Sequence, residues 1–166
     1  MKSILLKSIV VLFLLASIPS LSEARSYTQQ STVPPFLLNT LSIMFNMSGK
    51  VKLRANIIDY ASKYIGTPYR SGGIKPGGFD CSGFTSYLFR QYGISISRSS
   101  SAQAYGGTAV NGLANAQPGD VICYPGHVGL YVGGGQMIHA NVPGGSVRLV
   151  GVNSIGMSVI AIRRYW

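Results

Sequence analysis

Residues 126–140 read GHVGLYVGGGQMIHA. Apolar residues alternate on either side of three consecutive glycines, the pattern of two strands joined by a tight turn. With the turn centred on Gly134, residue 129 faces 139 and residue 127 faces 141. His127 and His139, the only histidines in the chain, then share one face as diagonal neighbours, roughly 7–8 Å apart at Cβ. Rings extended from that separation reach hydrogen-bonding distance. A slip of one residue would put them on opposite faces. Two unrelated strand histidines are the other reading, and it leaves two polar rings in apolar strands without a role.

The same period of two recurs after the turn signal QPGD (117–120), through Val121 and Cys123, and again in SVRLVGV (146–152) and SVIAIRRYW (158–166). Upstream the period is helical. Leu37, Leu38, Leu41, Met44 and Phe45 predict a helix that starts at Pro34–Pro35 and ends at Gly49. A second helix is expected over about 51–65, with Leu53, Ile57, Ala61 and Tyr64 on one face, stopped by GTPY. SGGIKPGG (71–78) reads as a loop. Asp80 caps a third helix carrying Phe84, Tyr87, Leu88 and Gln91, closed by Gly93. Helices followed by an antiparallel sheet predict an α+β fold.

The 166 residues leave room for one domain. Residues 1–24 read as a signal peptide: a basic start, an apolar run, and Ser22 and Ala24 as small residues at a cleavage site. Residues 25–50 read as a linker and a possible propeptide-like helix, packed on the core or plugging a site, and residues 51–166 as the functional domain. An exported, secreted or wall-associated protein is expected. Removing the leader takes two lysines and one glutamate, so the +10 of the whole chain falls to +9. The basic residues are scattered and form no stripe, which argues against nucleic acid and for an anionic envelope or wall polymer, with solubility alone as the simpler reading.

The chain has two cysteines, Cys81 and Cys123. Export permits a bridge between them, and a domain of this size does not require one. Cys123 sits mid-strand, as a core thiol would. Cys81 follows the cap Asp80 at the first turn of a helix, where unpaired N–H groups favour a thiolate. With two histidines paired on a hairpin, a nucleophile served by a base and an orienting group becomes the sharper reading. Metal chemistry has less support, because the sequence holds no C-x-x-C, H-E-x-x-H or carboxylate cluster. No G-x-S-x-G is present for serine chemistry.

GTPYRSGG (66–73), GGFDCSGF (77–84), SRSSSAQ (97–103), QPGDVI (117–122), the hairpin itself and the closing AIRRYW resemble the NlpC-type cell-wall peptidases, papain-like cysteine endopeptidases of peptidoglycan. The resemblance implies Cys81 as nucleophile, His127 as general base and His139 as the orienting third residue. It implies Tyr69 as a helper of the oxyanion site, and Asp80, Ser82 and Arg98 as residues that shape the substrate cleft. It also implies a monomer without metal or organic cofactor, acting on peptidoglycan or its muropeptide fragments. The family bond most often cut is the one from γ-D-glutamate to the diamino acid. Relatives cut the D,D-crosslink or the muramoyl–L-alanine bond instead. A non-catalytic wall-binding module is the alternative of another class.

Overall fold

The computed structural model describes residues 35–142 and 144–166, so the expected signal peptide and residues 25–34 lie outside the described residues. These residues divide between Met47 and Ser48 into two units, the first contributing only the opening stretch of a helix. That helix, α1, spans Pro35–Ser62 without interruption. The expected stop at Gly49 does not occur. Gly49 stands exposed with nothing near its Cα, and a lone exposed glycine costs a helix only about 1 kcal/mol, which helix-forming neighbours absorb. Within the second unit, Ile57 and Ala61, four residues apart, are fully buried, and Leu53 packs against the same core. The helix ends at Ser62, three residues short of the expected boundary, and a turn through Gly66 (φ +92°) leads into Pro68.

A short hairpin, β1 (Ile74–Lys75) and β2 (Gly78–Phe79), leads straight into helix α2 (Cys81–Arg90). The cap expected at Asp80 is formed: its backbone is extended and its Oδ1 accepts the Gly83 N–H at 2.7 Å. Phe84, Leu88 and Phe89 follow at helical spacing and are fully buried. A single turn of helix, α3 (Ser100–Gln103), precedes the sheet.

Six antiparallel strands make that sheet: β3 (Thr108–Ala109), β4 (Val121–Tyr124), β5 (His127–Gly133), β6 (Gln136–Ala140), β7 (Val147–Gly151) and β8 (Ala161–Arg164), in the order β3-β8-β4-β5-β6-β7. The expected hairpin register holds, with Leu130 opposite Ile138 and Tyr131 opposite Met137. A bulge between Tyr131 and Gly133 absorbs the glycine turn. Every residue of β4 is buried, because the sheet is covered on both faces. Val121, Cys123, Val128 and Leu130 pack with the helices. Ile122, Tyr124, Tyr131 and Met137 pack under the irregular segments that carry Leu113, Ile155 and Met157. The α+β class is that expected from the sequence.

Candidate active site

Cys81 opens α2, and its side chain is 8% exposed. Cys81 and Val128, the residue after His127, belong to the same buried cluster. The start of α2 is thus seated against the start of β5. His127 Nε2 lies 2.7 Å from His139 Nδ1, with the rings perpendicular. This is the diagonal pairing expected from the hairpin. Gly129, between them in register, makes it possible: a Cβ there would lie 2.6 Å from Met137 Sδ and 3.2 Å from His139 Cβ.

Burial sets the electrostatics. It pushes the Cys81 thiol above its ordinary value, Asp80 adds to the rise, and the Val128 and Ser82 groups draw it back only in part. Desolvation thus opposes the thiolate that the N–H groups of a helix start favour. Burial also lowers His127, and it lowers His139 to about 4, with His127 and Arg148 contributing. His139 is 2% exposed and its Nε2 has no partner among the described residues.

Asp80 is the hub of the surrounding loops. Its carboxylate accepts the Gly83 N–H at 2.7 Å and the Gly72 N–H at 2.9 Å, and takes two nitrogens of Arg98 at 2.9 and 2.5 Å. Burial works against that charge, but Arg98 and the two amides prevail and hold the carboxyl below its usual range. Arg98 also donates to Ser82 Oγ at 3.0 Å. Tyr69 joins the group through a bridge to Phe79, and burial, then the nearness of Cys81 and Asp80, raises its phenol. Asp80, Ser82, Arg98 and Tyr69 thus gather about Cys81 at the start of α2, and His127 and His139 pair across β5 and β6.

Three contributors escaped the sequence reading. The Val128 amide has no side-chain signature. Gly129 and Gly83 had one, a glycine where a helix or strand former would serve better. At Gly83 a Cβ would meet the Gly73 carbonyl at 2.0 Å, so this glycine lets the Gly72–Gly73 loop reach Asp80. Cys123 is free, as is Cys81, so the bridge left open by the sequence is not formed. Burial raises the Cys123 thiol to about 12.

The NlpC/P60 family model matches residues 66–162. A probable endopeptidase of Mycobacterium tuberculosis is 42% identical over 115 residues, which is 68% of this chain and 29% of the relative. The probable endopeptidase p60 of Listeria grayi is 41% identical over 109 residues, 63% of this chain and 21% of that protein. The chain therefore spans less than a third of the length of these relatives. Among solved structures, the peptidoglycan hydrolase RipB of Mycobacterium tuberculosis superposes with a TM-score of 0.64 at 32% identity, over 71% of this chain and 67% of that one. The matched span holds every residue of the cluster around Cys81, on the papain-like arrangement of a helix start set against an antiparallel sheet, and the chain belongs to the NlpC/P60 family.

Proposed function

We propose that this chain is a cysteine endopeptidase that hydrolyses the stem peptides of peptidoglycan, at the bond from γ-D-glutamate to the diamino acid. The observation that carries the reading is the His127–His139 couple at 2.7 Å across β5 and β6, with Val128, the residue after His127, packed in one cluster with Cys81. His127 Nε2 is committed to His139, which leaves Nδ1 to take the thiol proton. A neutral His127 then carries its proton on Nε2 and donates to His139 Nδ1, so that the proton of His139 lies on Nε2. His139 fixes both the tautomer and the ring plane.

The proton of Cys81 passes to His127, and the sulfur attacks the amide carbonyl. Backbone N–H groups at the start of α2 and the Tyr69 hydroxyl receive the oxyanion. The amine leaves with the proton from His127, and water then attacks the thioester, with His127 again taking a proton. No step requires a metal or organic cofactor. Residues 1–24 act as the export leader, residues 25–50 link it to the peptidase domain at 51–166, and the cationic chain works outside the membrane, at the wall.

Mass spectrometry of muropeptides after digestion tests this. Wild type releases fragments ending in γ-D-glutamate, and Cys81→Ala releases none while keeping its melting temperature within a few degrees. Fragments from the D,D-crosslink or from muramoyl–L-alanine cleavage would reassign the bond. Release by Cys81→Ala, or none by wild type, would overturn the peptidase.

A further inference from the structure

Half of the exposed large apolar side chains among the described residues stand on one stretch of chain. Phe36, Ile43, Met44, Phe45, Met47 and Val51 are six of the twelve, and all belong to α1. Phe36 is 67% exposed and Met47 63%. Single exposed apolar residues are ordinary, but a contiguous group marks a surface that something covers.

The group is ordered. Phe36, Thr40, Ile43 and Met47 follow one another at four, three and four residues, so they share one face of the helix, with Met44 beside them. Thr40 is the polar member of that stripe, and its hydroxyl donates to the Phe36 carbonyl at 2.8 Å, so it asks nothing of its surroundings. Asn39, Ser42 and Asn46, spaced by three and four, make a separate exposed stripe of neutral polar groups. Lys50 and Lys52 come next in the chain, and both are exposed. Neither pairs with a carboxylate among the described residues. The sequence holds no acidic residue between Glu23 and Asp59. No described helix is long and apolar enough to cross a membrane.

We infer that residues 36–47 of α1 lie in the plane of an anionic lipid surface, with the Phe36–Met47 stripe among the acyl chains and Lys50 and Lys52 at the headgroup phosphates. An apolar stripe and a nearby cationic group are the two signals that together hold a peripheral protein on such a surface. A second copy of this chain would cover the stripe as well, but it is equally free of acid here and offers these lysines no counter-charge. The lipid phosphates supply one. This docking surface lies outside the cluster around Cys81, and it draws on the function proposed above only for the loss of residues 1–24 on export.

Sedimentation of the exported chain, without residues 1–24, with lipid vesicles tests the inference. Mixed phosphatidylglycerol–phosphatidylcholine vesicles should bind it about tenfold or more tightly than phosphatidylcholine alone at low salt, and the difference should shrink as salt rises. Ile43→Gln combined with Met47→Gln should weaken binding to both kinds of vesicle by about tenfold or more, with the helix signal in circular dichroism kept. Lys50→Gln combined with Lys52→Gln should remove most of the preference for the anionic vesicles and leave binding to phosphatidylcholine unchanged. Cleavage of soluble muropeptides should be the same in all three forms. Absence of binding to anionic vesicles, or binding untouched by the Ile43 and Met47 changes, overturns the inference. So does a dimer in sedimentation equilibrium that those changes dissolve, which gives the stripe to a second copy, or faster muropeptide cleavage on making them, which gives it to the chain's own cleft. Vesicle binding is read without turnover, so a chain that binds vesicles and cuts no muropeptide sinks the proposed function and leaves this inference standing.

Discussion

Two arginine–aspartate pairs hold this domain together, and they are built differently. Arg164 gives Asp120 its long edge, Nε to Oδ1 and Nη2 to Oδ2, both at 2.8 Å. Its remaining Nη2 proton goes to the Asn115 carbonyl, and its guanidinium lies 4.8 Å from the Trp166 ring centroid. Asp120 is fully buried and also accepts the Gln117 N–H. Only Nη1 is left over. Arg98 instead meets Asp80 end-on, partly exposed, and keeps its long edge open. The same two residue types serve as a closed staple between β8 and the turn before β4, and as an open pair beside the nucleophile. The edge of the guanidinium that is spent, together with the depth of burial, separates the two uses.

The largest expected effect breaks the staple. Asp120→Ala strands Arg164 and the Gln117 amide, and removing one partner of a buried pair costs about 3–5 kcal/mol. The melting temperature should fall by on the order of 10 °C, with kcat/KM of the folded fraction within about twofold of wild type. Asp80→Ala should reverse the balance, costing about 1 kcal/mol for the lost helix cap and most of the activity. Thermal melts and initial rates on both variants decide this. Equal losses of stability from the two would erase the distinction.

An acid titration sharpens the contrast, because it strikes the histidines before it reaches Asp80. His139 is held near 4, against an ordinary value of 6.5. Between those values the unfolded chain binds a proton that the folded chain refuses. Stability from this group is full above pH 6.5 and is lost as pH falls towards 4, by at most about 3 kcal/mol. Asp80, held below 3.8, gives up its contribution only at lower pH still. Urea melts at pH 4.5 and 7 should therefore differ in wild type, and His139→Asn should flatten that slope. Activity should follow the other ring: His127 is lowered below 6.5 by burial, so the acid limb of kcat/KM should fall below that value. A limb above pH 7 would contradict a buried, neutral base.

The histidine pair was legible in the sequence for a local reason. A triple-glycine turn between alternating strands leaves one sensible register, and the pairing of Leu130 with Ile138 follows it. The cap at Asp80 was legible because a cap bonds within its own first turn. The staple was not. Asp120 stands in QPGD, which reads as an exposed turn, and its partner comes 44 residues later. Nothing in either segment announces the other. The continuous α1 was hidden for the opposite reason: glycine is a weak stop signal, and Gly49 lacks the positive φ that would have made it a terminator. The burial of the sheet's second face escaped because irregular segments, not periodic ones, cover it.

The smallest effect supplies the control for the charged pairs. Tyr60 on α1, Tyr64 in the turn after it and Tyr87 on α2 bring three hydroxyls within 2.8–3.0 Å of one another, a neutral ring that joins the two helices. Tyr87→Phe keeps the aromatic packing against Phe79 and removes one hydroxyl, leaving the Tyr64–Tyr60 bond in place. The cost should be about 1 kcal/mol, the net worth of a part-exposed hydrogen bond. It should be the same in 50 mM and 1 M salt, since no charge is involved. The half-exposed Asp80–Arg98 pair should lose strength over that range as the Debye length shrinks towards about 3 Å. The buried Asp120–Arg164 pair should hardly respond. Melts of Tyr87→Phe, Asp80→Ala and Asp120→Ala at both salt concentrations separate the three regions, and an equally salt-sensitive Tyr87→Phe would mean that the hydroxyl ring is not the neutral joint described here.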